Sequence, residues 1–221
     1  MGNTQTPPFV LEVRHLSKAF GGLKVTHDVS FAIPRGELSA IIGPNGAGKT
    51  TLFNLITGKL VPDAGEVLFK GERIDGRSPA DIARKGIGRA FQITSIFKER
   101  TVLENVLVSV LSREKKTARL FRRATAHHEA VREAIEILAT LSLDAKAGEM
   151  AGSLPHGDQK RLDIAVALAL NPELVMLDEP MAGMSPEERT TTVDLIRKIW
   201  KEKGLTLLFI EHDMDVVFGI S

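Results

Sequence analysis

At 221 residues, with 43% hydrophobic and 26% charged side chains, the chain is long enough for one sizeable soluble domain carrying a subdomain. A formal net charge of +1 gives no electrostatic case for nucleic acid as the main partner, and the absence of cysteine excludes disulfides, thiolate metal sites and a cysteine nucleophile. No apolar run approaches the roughly 18 residues that a membrane-spanning helix needs.

Residues 1–8 are polar and proline-ended, and read as a loose tail. "FVLEVRHL" and "VTHDVSFAI" alternate as strands do, and "LSAIIG" is a short apolar run ending in glycine, as a buried strand would. "KTTLFNLITG" has helical spacing and stops at Gly58. "GEVLFKGERI" reads as a hairpin and "GIGRAFQ" as another strand. From about 102 to 141 the pattern is helical, and its charged middle, "SREKKTARLFRRATAHHEA", reads as a solvated helical hairpin. A further helix begins near 158. It is followed by a buried strand "ELVMLD", an amphipathic helix "PEERTTTVDLIRKIWKEKG" and a last buried strand "LTLLFIEHD". Strands alternating with helices predict an α/β fold with a mostly parallel sheet covered on both faces.

Chemistry concentrates first in "GPNGAGKTT", which satisfies the phosphate-loop pattern between a buried strand and a helix start. Gly43, Pro44, Asn45, Gly46, Ala47 and Gly48 form a loop whose amides can turn inward on phosphate oxygens. Lys49 brings a point charge to the β and γ phosphates, Thr50 offers a hydroxyl to Mg²⁺, and Thr51 continues the helix start. The second element, "LVMLDEP", ends a buried strand in two acids. Asp178 is placed to approach Mg²⁺, and Glu179 to orient or deprotonate an attacking water. Without the phosphate loop, the same two acids would read equally well as solvated strand-end residues. Together the two elements define a nucleotide-hydrolysing P-loop protein.

The stretch "SLPHGDQKRL" just ahead of "LVMLDEP" narrows the class. In order and spacing the chain resembles the ATP-binding-cassette (ABC) ATPase family. Leu154, Pro155, His156, Gly157 and Asp158, followed by Gln159, stand at the family's signature L-S-G-G-Q. The resemblance also implies that Gln92 is the glutamine-loop residue and a metal or water ligand, that "MAGMSPEE" is the loop after the acids, that His212 is the switch histidine on the γ-phosphate, and that Phe20 stacks on adenine. Taken alone, Gln92 and His212 would be polar strand-end residues and Phe20 a core aromatic. Two departures stand out: Pro155 replaces the signature serine, losing a hydroxyl and an N–H, and Ser185 stands where the family often has aspartate.

The resemblance further implies ATP and Mg²⁺ as cofactors. It implies one ABC ATPase domain over 1–221, with a core at 9–91 and 160–221, a helical subdomain at about 92–159 and a mostly parallel core sheet with an antiparallel β edge. "FQITSIFKERTVLENVLV" with the charged insert is similar to branched-chain amino acid import ATPases and their urea or amide relatives. The expected partners are permease subunits, a second ATPase subunit whose nucleotide the signature covers, and, indirectly, a solute-binding protein; no nucleic acid is expected. The expected location is the cytoplasmic face of the cell membrane, through the permease. A single-cassette soluble ATPase acting in assembly is the alternative. A P-loop kinase and a non-hydrolysing nucleotide-gated module fit less well, because the signature and the pair Glu179 and His212 have no place in them. The sequence ends at Ser221 without the strand pair and terminal helix that the family adds. An unpaired sheet edge is expected if that end is the natural one.

Overall fold

A computed structural model describes residues 8–90, 96–113 and 128–211. The charged middle of the helical region, the N-terminal tail, Gln92 and His212, and the C-terminal end lie outside the described residues. Strands β1 (Phe9–Phe20), β2 (Leu23–Pro34), β4 (Ala64–Phe69) and β5 (Glu72–Arg73) form an antiparallel sheet in the order β2-β1-β4-β5. Strands β3 (Leu38–Ile42), β6 (Ile87–Ala90), β7 (Leu174–Asp178) and β8 (Thr206–Glu211) form a second sheet in the order β3-β8-β7-β6, with each pair parallel. The expected antiparallel edge is therefore a sheet of its own. Local patterning identifies strands, but which strand pairs with which is fixed by contacts distant in sequence, such as Arg14 opposite Glu66.

The helices are α1 (Lys49–Ile56), α2 (Pro79–Lys85), α3 (Val102–Arg113), α4 (His128–Thr140), α5 (His156–Ala169) and α6 (Pro186–Lys203). Helix α2 is an addition to the sequence reading. Its signals are local: Ser78 accepts from the Asp81 amide as N-cap, Pro79 fills the first turn, and Gly86 ends it at φ 112°. Helix α5 begins two residues earlier than the sequence pattern suggests, at His156.

Strands β7 and β8 are buried on both faces, whereas β3, expected to be buried, lies at the sheet edge and is half-exposed; side-chain alternation divides the central strands between two cores. Leu174 and Met176 of β7, with Leu208 and Ile210 of β8, face α1 and the antiparallel sheet. Val175 and Leu177, with Leu207 and Phe209, face α3, α4, α5 and α6. Helix α1 is thus clamped between two sheets by Leu52, Phe53, Leu55 and Ile56, each no more than 6% exposed. Burying such side chains contributes about 1.5–3 kcal/mol each, which makes α1 a rigid base for the loop ahead of it. No helix among the described residues is long and apolar enough to cross a membrane.

Candidate nucleotide site

The phosphate loop leaves the carboxyl end of β3 and enters α1. Gly46 and Gly48 hold φ values of 83° and 85°, the left-handed region that glycine enters freely. Gly48 is doubly required, since a Cβ there would stand 2.5 Å from the Val25 carbonyl oxygen. As N-cap it leaves α1 without a side-chain cap, so the first helical amides stay open to an anion. Lys49 folds back across the loop, and its Nζ donates to the carbonyls of Gly43 at 2.6 Å and Pro44 at 2.9 Å. Being 8% exposed, it is a desolvated charge held by two neutral dipoles, poised to exchange them for phosphate oxygens.

A cleft of about 290 Å³ opens over this loop. Asn45, Gly46, Thr50 and Thr51 line one side, Val25 of β2 another, and Glu179 faces them. Phe20 lies outside that lining and stands 45% exposed at the end of β1, with Lys18 Nζ 5.7 Å from its ring centroid. Glu179 itself sits at φ 48°, unusual for a residue with a side chain, while its amide donates to the Ile210 carbonyl at 3.1 Å. Such strain persists only where the surroundings over-determine the backbone. Here β8 fixes the amide, and the residue lines the cleft.

Asp178, at the carboxyl end of β7, is 2% exposed. Its Oδ2 accepts from Arg89 Nη2 at 2.7 Å, while its Oδ1 has no hydrogen-bond partner among the described residues. Burial pushes the Arg89 guanidinium below its ordinary value, against the hydrogen bond and charge of Asp178. A second buried cation, Lys160 of α5, is likewise pushed down by burial, against the charges of Asp163, Asp178, Glu179 and Glu211. A space of about 10 Å³, room for one water, separates Lys160 and Asp163 from Asp178. Neither Arg89 nor Lys160 was among the expected site residues. A charged residue inside a buried parallel strand was the available signal for Arg89, because such a charge requires a partner.

An orphaned buried carboxylate oxygen beside a cleft with a threonine hydroxyl is a donor set suited to Mg²⁺, which takes oxygen ligands and completes its shell with phosphate and water. No group of three or more His, Cys, Asp or Glu residues among the described residues is arranged to hold a metal by itself.

The signature residues are gathered at the start of α5. Leu154 is buried, while Pro155 and His156 are exposed. Pro155 is the N-cap and contributes no side-chain bond. Asp158 is buried and turned back into its own chain, paired with Lys146 and Arg161. Gln159 donates to the Leu154 carbonyl at 2.9 Å. At Gly157 a Cβ would lie 2.7 Å from Glu188 Oε1, so the glycine lets α6 approach. The departure at Ser185 has a local reason. Ser185 caps α6 in a reciprocal box: it accepts from the Glu188 amide at 3.3 Å, and its own amide donates to Glu188 Oε2 at 2.8 Å. Gly183, at φ 78°, leaves room for the His156 ring, which a Cβ would approach to 3.2 Å. The signature and the loop after the acids are therefore in contact within one chain.

Residues 26–182 match the model of the ABC transporter family. The chain is 40% identical over 220 residues to the high-affinity branched-chain amino acid transport ATP-binding protein LivG of Escherichia coli (strain K12), covering 96% of this chain and 85% of the relative. It is 42% identical over 219 residues to the corresponding protein BraF of Pseudomonas aeruginosa, with the same coverage. Its fold superposes with a TM-score of 0.85, at 35% identity, on a crystal structure of an ATP-binding cassette of an ABC transporter in its ADP conformation, over 96% of this chain and 84% of that one.

Proposed function

The chain belongs to the ABC transporter family as an ATP-binding cassette, and from that premise we propose that it is the ATPase subunit of an importer for branched-chain amino acids. ATP hydrolysis is general to the family, and the site has the groups for it. The observation that carries the reading is Lys49, held across the glycine loop by the Gly43 and Pro44 carbonyls with Glu179 facing it over the cleft.

In this reading the triphosphate takes the place of those two carbonyls at Lys49, and the open amides of α1 receive its oxygens. Thr50 and Oδ1 of Asp178 would hold Mg²⁺, which would supply charge neutralisation for the phosphates. Glu179 orients a water on the γ-phosphate and accepts its proton. Its backbone bond to β8 holds Glu179 at the edge of the cleft. Phe20, exposed at the end of β1, is the platform for the base, and Gln92 and His212 serve as glutamine-loop and switch residues.

The signature residues Leu154 to Gln159 face the nucleotide of a second ATPase subunit. Asp158 is neutralised by Lys146 and Arg161, so it presents no bare charge to that phosphate. Closure of two such subunits on ATP drives the permease, and hydrolysis reopens them. The residues from about 92 to 159 form the helical subdomain against the permease, which holds the chain at the cytoplasmic face of the membrane. A solute-binding protein delivers the amino acid on the far side.

The test is ATP-driven uptake of radiolabelled leucine by proteoliposomes containing the permease subunits that co-purify with the chain. Uptake that is lost with Glu179→Gln and competed by isoleucine and valine supports the proposal. ATP turnover with no permease co-purifying, or uptake indifferent to these amino acids, overturns it.

A further inference from the structure

The geometry points to Arg89 as a positioning residue that fixes the Asp178 carboxylate for the metal by tying it to the helix that carries Thr50. The inference rests on the reading of Thr50 and Asp178 as the magnesium-binding pair. Arg89 lies on β6, next to β7, and its side chain is 6% exposed against 1% for Asp178. Its planar fork reaches two elements. One arm donates to Asp178 Oδ2 at 2.7 Å. The other donates to Asn54 Oδ1 at 2.8 Å and Thr57 Oγ1 at 3.0 Å, both on or at the end of α1. The Thr57 hydroxyl spends its proton on the Phe53 carbonyl at 2.7 Å, which leaves its oxygen free to accept. The guanidinium carbon lies 5.5 Å from the Phe53 ring centroid, which holds the fork from a further side.

Three consequences follow from this arrangement. Asn54 is four residues after Thr50, so the two project from one face of α1, and Arg89 gauges the distance from that face to Asp178. Second, by occupying Oδ2 the guanidinium fixes the rotation of the carboxylate and leaves Oδ1 as the buried oxygen without a partner. Third, such a pair is a poor means of holding β6 to β7. A buried ion pair repays its desolvation only with good geometry, and apolar residues of similar size often stabilise as well or better. Its rigid two-armed fork, one arm on Asp178 and one on α1, cannot be reproduced by lysine and is what the metal site uses.

The test compares Arg89→Lys, which keeps the charge and loses the fork, with the parent chain. Calorimetry measures ATP affinity in EDTA and in saturating Mg²⁺, and a titration gives the Mg²⁺ concentration for half-maximal ATP turnover. Arg89→Lys is expected to bind ATP in EDTA as the parent does. It should need about tenfold or more Mg²⁺, as residues that orient metal ligands commonly do when replaced, and should lose a similar factor of the affinity that Mg²⁺ adds. Asn54→Ala, which leaves Arg89 in place and removes one anchor, should give the same selective change in smaller measure, and it carries the test if the lysine variant does not fold. Unchanged Mg²⁺ dependence in the folded variants overturns the assignment. An equal loss of ATP affinity in EDTA also overturns it, because it marks a collapse of the phosphate loop. A parent chain that gains no ATP affinity from Mg²⁺ overturns the reading of Thr50 and Asp178 itself, a result readable without any variant.

Discussion

Two helix starts in this molecule are built on opposite plans. Helix α1 opens behind Gly48 and α5 behind Pro155, and neither has a side-chain cap. At α1 the chain completes its own anion site: two left-handed glycines, a buried lysine held on loop carbonyls, and a facing glutamate. At α5 the nearby charges are already used internally, Asp158 by Lys146 and Arg161, and Glu188 by the cap of α6. An uncapped helix start is thus a complete site where the chain supplies a cation inside the loop. At α5 the chain supplies only shape, and in the proposed reading a second subunit brings the phosphate.

The largest break in that contrast comes from Lys49→Ala. Loss of the one cation inside the loop should lower ATP turnover by about a hundredfold to a thousandfold, as loss of a preorganised electrostatic group does, while the fold persists because the ammonium touches only loop carbonyls. Steady-state hydrolysis with a parallel melting curve checks both parts. Gly48→Ala attacks the same loop through its backbone. The new Cβ meets the Val25 carbonyl at 2.5 Å in a left-handed conformation, so the loop must shift at a cost of about 1–3 kcal/mol. Calorimetric ATP affinity should fall by about tenfold or more, with little change if Mg²⁺ is omitted from both samples.

These two regions were not equally legible in the sequence. The loop announces itself because strand, glycines, lysine and helix follow within a dozen residues, and the local physics of each is readable. The signature was placed by its order among other motifs. Its burial against Glu188 and the pairing of Asp158 with Lys146 depend on contacts between separate elements. The same holds for Arg89, whose partner Asp178 is 89 residues away. It holds too for the separation of the strands into two sheets. Helix α2 is the converse, since Ser78, Pro79 and Gly86 were readable signals that the strand-dominated surroundings obscured. The roles of Gln92 and His212 rest on the resemblance, as both lie outside the described residues.

Pro155→Ser sharpens the contrast from the other side. It restores a hydroxyl and an N–H at the start of α5, where the exposed Pro155 now offers neither. A hydrogen bond to a charged group contributes about 1.5–3 kcal/mol, so ATP-dependent dimerisation should tighten by about tenfold or more. Sedimentation equilibrium in a Glu179→Gln background, where ATP persists, measures this. Unchanged dimer affinity would show that His156 or the Gly157 amide already serves the phosphate.

The smallest effect tests the scaffold on which both helix starts ride. Glu173 stands at the entry to β7, at the opposite end of that strand from Asp178, and accepts from Arg35 and Lys70 at 2.5 Å each. These partners bring the β2–β3 turn and the β4–β5 hairpin onto the parallel sheet. Burial draws the Glu173 carboxyl upward, but the hydrogen bonds and charges of Lys70 and Arg35 outweigh it and hold the group below its ordinary value. A depressed carboxyl stabilises the fold fully above its unfolded pKa of about 4.3 and loses that contribution as pH falls through the folded value. With the side chain 36% exposed, screening limits the gain to about 1 kcal/mol or less. Glu173→Gln should therefore lower urea stability slightly at pH 7 and converge with the parent as pH falls through the depressed folded value. ATP turnover should stay unchanged at both ends of that range where the chain remains folded. A loss of turnover at pH 7 without a loss of stability would mean that the clamp sets the site's geometry from the far end of β7.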